Sequence, residues 1–73
     1  MQRQELPVYL YTVKEAAVIL HCNTEYVYGL IRSGLLPAIK FKSLRIRKET
    51  LDVFLQQYEG QDLSDISQIR PLI

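Results

Sequence analysis

Long apolar runs, cysteine pairs and glycine-rich stretches are what this chain of 73 residues lacks. No apolar run approaches the roughly 20 residues that cross a bilayer, and no basic stretch leads into an apolar block at the N-terminus. Neither a membrane span nor a secretory leader is expected, and the chain reads as a soluble cytoplasmic domain. The single cysteine, Cys22, cannot close an internal disulfide, and with only His21 beside it there is no metal-ligand set. No metal and no cofactor are expected. Paired carboxylates in a pocket, a nucleophile beside a base and a phosphate-cradling glycine loop are equally missing. A chain this short hides only about 60% of its unfolded surface, which leaves little to line a deep pocket. An enzyme is therefore not expected.

What the chain does have is an uneven charge layout beneath a net charge of +1. Residues 1–25 sum to −1 and residues 49–73 to −4, whereas residues 26–48 hold Arg32, Lys40, Lys42, Arg45, Arg47 and Lys48 without one acid. A polyanion responds to local potential, so this cationic middle can neutralise phosphates whatever the total.

Local patterns divide the chain into three parts: an extended lead-in over residues 1–10, a folded domain over 11–60 and a tail over 61–73. Thr12-Val13-Lys14-Glu15 reads as a capping box, and Val13, Ala16, Ala17 and Leu20 form one apolar stripe behind it. Tyr11 is placed to staple onto Ala16, and the helix is expected to end near His21. Asn23 is the N-cap of a second helix, Thr24 to Arg32, with Val27, Leu30 and Ile31 inward and Ser33-Gly34 as its stop. Two short helices joined by about three residues suggest a helix-turn-helix.

After Pro37 the period changes to two. Ile39 and Phe41 alternate with Lys40 and Lys42, and Leu44 and Ile46 with Arg45 and Arg47, which predicts a hairpin with apolar residues on one face and cations on the other. A third helix from about Lys48 to Gly60 would bury Leu51, Phe54, Leu55 and Tyr58. In the tail, Leu63, Ile66 and Ile69 recur every three residues, which allows one or two helical turns before Pro71. The fold class is thus α+β: a small winged helix-turn-helix with a two-stranded antiparallel wing hairpin and a third helix.

Three stretches carry a family resemblance: Tyr11-Thr12-Val13-Lys14-Glu15-Ala16-Ala17, then Tyr28 to Ala38 with its Gly-x-Leu-Pro-like turn, then Arg45-Ile46-Arg47-Lys48-Glu49. Over residues 10–58 the chain resembles the excisionase family of DNA-binding domains, whose fold is MerR-like. The resemblance implies a phage or integrative-element protein that binds and bends attachment-site DNA, so that a tyrosine recombinase excises the element. Small transcriptional regulators with the same domain are the alternative it implies. The implied partners are double-stranded DNA, the recombinase and neighbouring copies of the chain; no membrane is involved.

The second helix of a helix-turn-helix enters the major groove, and its outer face here presents Thr24, Glu25, Tyr28, Gly29 and Arg32. Arg32 suits a phosphate or guanine, Thr24 a phosphate, Glu25 a cytosine amino group and Tyr28 the backbone or a thymine methyl. Relatives commonly carry a basic residue where this chain has Gly29. In the implied wing, Lys40, Lys42, Arg45 and Arg47 suit a narrow minor groove, with Lys48 on a flanking phosphate. The apolar residues of the tail are expected to face neighbouring molecules on DNA. The competing expectation is that they fold back over the third helix as extra core.

Overall fold

The computed structural model describes residues 8–73. The first seven residues of the expected lead-in lie outside that range. The elements run β1 (Leu10–Thr12), α1 (Val13–Leu20), α2 (Thr24–Arg32), β2 (Ile39–Lys40), β3 (Leu44–Arg47), α3 (Lys48–Tyr58), β4 (Gln61–Asp62) and β5 (Arg70–Pro71). The fold is the expected small α+β helix-turn-helix domain.

Local chemistry sets the helix starts. The Thr12 hydroxyl accepts from the Glu15 N–H at 3.0 Å while the Glu15 carboxylate accepts from the Thr12 N–H at 2.9 Å, the reciprocal pairing of a capping box. His21 ends α1 in the left-handed region at φ 57°, and Cys22 N–H donates to Ala17 O at 2.9 Å, folding the chain back within three residues. Asn23 Oδ1 then accepts from Tyr26 N–H at 2.8 Å and opens α2. At the other end of α2, Gly34 takes φ 84° while Leu35 and Leu36 N–H both donate to Leu30 O. This turns the chain toward the wing.

Val13, Ala16 and Ala17 of α1, Val27 and Leu30 of α2, Leu36, Ile46 of β3, and Leu51 and Phe54 of α3 form one buried cluster. The alanines matter because they let α1 and α2 approach closely. Tyr11, Leu20, Ile31, Leu44 and Tyr58 pack at its margin, as the periodicities require. Phe54 and Tyr58 meet with ring centroids 5.0 Å apart and planes tilted 52°.

Four expectations need correction. First, the hairpin gains a third strand: β1 pairs with β3, with Tyr11 opposite Ile46 and Thr12 opposite Arg45, in the order β1-β3-β2. Leu10, the last residue of the lead-in, thus belongs to the sheet. Second, the wing does not separate apolar residues from cations. Ile39 lies opposite Arg45 and Lys40 opposite Leu44, and residues directly opposite share a face. The register differs by one residue from the one that would align both apolar sets, so Ile39 and Phe41 remain exposed. Third, Leu55 points to solvent at 43% exposure, because Leu51 and Phe54 already fill the stripe that α3 offers to the core. Fourth, the tail forms no helix; a single turn closes where Gln68 N–H donates to Asp65 O at 2.9 Å. β4 and β5 pair antiparallel, Gln61 with Pro71 and Asp62 with Arg70. Between them Asp62 and Asp65 each accept from the hydroxyl and N–H of the serine two residues on, a local bonding pattern that competes with helix.

Candidate nucleic-acid interface

The turn between α1 and α2 fixes which side of α2 is free. Val27 and Leu30 face the core, so helical periodicity directs Glu25, Tyr28 and Arg32 to the opposite side, with Thr24 one turn before Tyr28. All four are exposed, Tyr28 at 39%. Gly29 is not among them. An ideal Cβ there would stand 3.4 Å from Ile66 Cδ1, and on the same flank Tyr26 OH donates to Leu63 O. The tail therefore lies along α2 beside its free face. Sequence reasoning placed Gly29 on the open surface because nothing local signals a partner 37 residues away.

This contact gives the glycine a reason. A side chain longer than a methyl at position 29 would compete with Ile66 for the same space. Burial, then the nearby Cys22 thiol and the Asp62 carboxylate, raise the Tyr26 phenol above its ordinary range. Its proton stays available for Leu63 O. Gly29→Ala is expected to raise stability by up to about 1 kcal/mol through helix propensity, since the methyl would meet Ile66 at ordinary contact distance. Thermal denaturation checks this, and a lowered midpoint would mean that Ile66 has no room to yield. Gly29→Arg is expected to destabilise instead.

The tail carries its own electrostatics. The Asp62 and Asp65 carboxyls sit below the ordinary aspartate range, held there mainly by the hydroxyls of Ser64 and Ser67 and next by the same serines' N–H groups. A depressed folded pKa contributes stability above the ordinary value that is lost as pH falls through the depressed one. These turns thus keep their support at neutral pH.

In the wing, Lys40 and Lys42 are exposed at its tip. Arg45 is half-buried and folds back, donating to Ser43 Oγ and to Leu44 O at 3.1 Å. Arg47 and Lys48 are already committed to carboxylates. Arg47 pairs with Glu49, and Lys48 Nζ stands 3.0 Å from Asp52 Oδ2 across one helical turn, which raises the lysine pKa through that hydrogen bond and the carboxylate charge. Both pairs are solvent-exposed, and such pairs are worth little in stability, at most about 1 kcal/mol. Their effect is on the field, since they cancel two of the six cations of the middle segment. Arg32, Lys40, Lys42 and Arg45 have no carboxylate partner among the described residues.

The described residues hold no group of three His, Cys, Asp or Glu that would suit a metal ion, and no helix among them is long and apolar enough to cross a membrane. Burial raises the Cys22 thiol above its ordinary range, which keeps it a protonated small hydrophobe at the core margin.

A model of the helix-turn-helix domain family matches residues 10–59, the span from β1 through the end of α3. The chain belongs to that family. Its members are DNA-binding domains and typically not enzymes, and double-stranded DNA is the partner that membership implies. None of the curated proteins and none of the solved structures compared with this helix-turn-helix protein matches it. The match stops just before β4, so the ribbon that packs on α2 lies outside the family's common part.

Proposed function

We propose that this helix-turn-helix protein is an excisionase-like factor that binds and bends attachment-site DNA and thereby directs a tyrosine recombinase toward excision of a mobile element. The observation that carries the reading is the pairing of a free α2 face, Glu25-Tyr28-Arg32, with a separate short wing whose Lys40, Lys42 and Arg45 lack carboxylate partners. A helix in one groove and a cationic hairpin in the next hold the duplex at two points, and a bend lets both engage. In this reading Arg32 takes a phosphate or guanine, Thr24 a phosphate, Tyr28 a backbone or thymine-methyl contact and Glu25 a cytosine amino group. Lys40, Lys42 and Arg45 lie along the minor groove, while Arg47 and Lys48 contribute only after exchanging Glu49 and Asp52 for phosphate.

A single module of this size buries roughly 600–1,000 Å² on DNA, which limits its affinity alone. Adjacent copies and the recombinase supply the rest, and exposed Leu72 and Ile73 offer them an apolar contact. Function of this kind belongs where the element's DNA is, in the cytoplasm.

Selection of bound duplexes from a random pool, followed by gel shifts on the selected site in circularly permuted fragments, tests the reading. Arg32→Ala and Tyr28→Ala are expected to weaken the selected site more than random DNA, by about 1–3 kcal/mol at the contacted base. Lys42→Ala is expected to weaken both equally and to lower the salt slope by about one unit. Mobility that does not depend on the position of the site would remove bending. Bound sites at a promoter with no effect on excision would favour the transcriptional regulator.

A further inference from the structure

The wing tip carries an aromatic residue that the fold does not use. Phe41 is 66% exposed and is not part of the core cluster. Its position follows from the register of the hairpin. Because Lys40 is opposite Leu44 and so shares the core side of the sheet with Leu44 and Ile46, alternation turns Ile39, and Phe41 beyond it, to the outer side. Phe41 N–H then donates to Ser43 O at 3.2 Å, closing the turn and holding the ring outside it.

An isolated exposed apolar side chain is ordinary on a protein surface. What distinguishes Phe41 is its company. Lys40 and Lys42 flank it, both exposed and both without a carboxylate partner among the described residues, and Arg45 is folded over the same turn. An apolar ring between cations at the end of a narrow hairpin is complementary to one surface in particular, a polyanionic groove with stacked bases at its floor. The cations neutralise the phosphates at the groove's edges while the ring meets the π faces within.

We propose that Phe41 is a wedge that enters the minor groove and partly unstacks one base step, kinking the duplex toward the major groove. The proposal rests on the reading of the chain as a DNA-bending protein and names the residue that makes the bend. Apolar wedges of this type open a step by a few tens of degrees, and pyrimidine–purine steps yield most readily because their stacking is weakest. Phe41 thereby selects sequence through deformability at a position where no hydrogen bond reads a base.

The chain contains no tryptophan, so Phe41→Trp places a single reporter at the tip. Titration with random-sequence duplex DNA is expected to quench its emission by more than half, because an indole stacked on bases loses fluorescence. Leu55→Trp, at an exposed position of α3 that shares a groove with Leu63 of the tail and not with the wing strands, is expected to keep its emission. Binding is followed independently by the anisotropy of a labelled duplex. In a second measurement, plasmid relaxed by a topoisomerase in the presence of the wild-type chain is expected to show a shifted linking number, since partial intercalation unwinds DNA. Phe41→Ala should abolish that shift and weaken binding roughly tenfold, with an unchanged salt slope and unchanged circular dichroism. An unquenched Phe41→Trp that still binds, or a Phe41→Ala that unwinds plasmid as the wild type does, overturns the wedge and leaves DNA binding intact. A wild-type chain that raises no anisotropy overturns the DNA reading and the wedge with it.

Discussion

Between 50 and 200 mM salt, the affinity of this chain for duplex DNA is expected to fall roughly 150-fold. The figure comes from counting cations after the ion pairs are removed. Each phosphate neutralised by a lysine or arginine releases condensed counterions, and log K then falls with log salt at about 0.9 per contact. Six cations lie in residues 26–48, but Arg47 and Lys48 already face Glu49 and Asp52. Exchanging a carboxylate for a phosphate gains little new charge neutralisation. Four cations remain, Arg32, Lys40, Lys42 and Arg45, for a slope of about −3.6. Anisotropy of a labelled duplex over a series of salt concentrations measures it. A flat dependence would rule out phosphate contact as the source of affinity, and a slope near −5.4 would mean that Arg47 and Lys48 desert their carboxylates on binding. Glu49→Gln and Asp52→Asn provide the internal check, each expected to steepen the slope by up to one unit.

The same ion pairs mark the limit of what the sequence discloses. The charge blocks were visible in the order of residues, but the partners of Arg47 and Lys48 depend on where α3 begins and how its first turn is oriented. Elements governed by neighbours within four residues were legible: the Thr12–Glu15 box, the Asn23 cap, the Gly34 stop and the stripe Leu51-Phe54-Tyr58 all stand where local chemistry puts them. The wing was legible as a hairpin and not in register. Its turn around Lys42-Ser43 lacks the Asn-Gly or Asp-Gly chemistry that fixes loop geometry, and with a strand of only two residues one position decides which side chains are exposed. β1 escaped notice because three residues between a lead-in and a helix cap carry no period of their own.

Thr24, Glu25, Tyr28 and Arg32 stand exposed on α2, as helical periodicity requires, whereas Gly29 does not. There the missing information is long-range. Glycine in the middle of a helix reads as a local weakness, and only the returning chain shows that the space is filled by Ile66. Proximity to the free face also gives the ribbon a boundary role. Asp62 lies close enough to Tyr26 of α2 to raise its phenol, so that flank of the helix carries negative charge.

A chain ending at Gly60 is accordingly expected to lose about 2.5 to 4 kcal/mol of stability. Leu63 and Ile66 are half-buried against the core cluster, each contributing roughly half of the 1.5–3 kcal/mol of a fully buried aliphatic side chain. Removal of Leu63 O also leaves the partly buried Tyr26 hydroxyl without its acceptor, a further loss of about 1 kcal/mol. For a domain of this size the midpoint of thermal unfolding should drop by roughly 10 to 30 °C. The competing expectation, that the tail is spare surface for neighbouring molecules, requires the truncated chain to melt as the full one does. Circular dichroism separates the two. Leu72→Ser with Ile73→Ser then isolates any role of the exposed end, because both side chains lie outside the packed part of the ribbon. That double variant is expected to melt normally and bind one site normally, but to lose cooperativity on duplexes carrying adjacent sites. Undiminished cooperativity would confine the tail to buttressing α2.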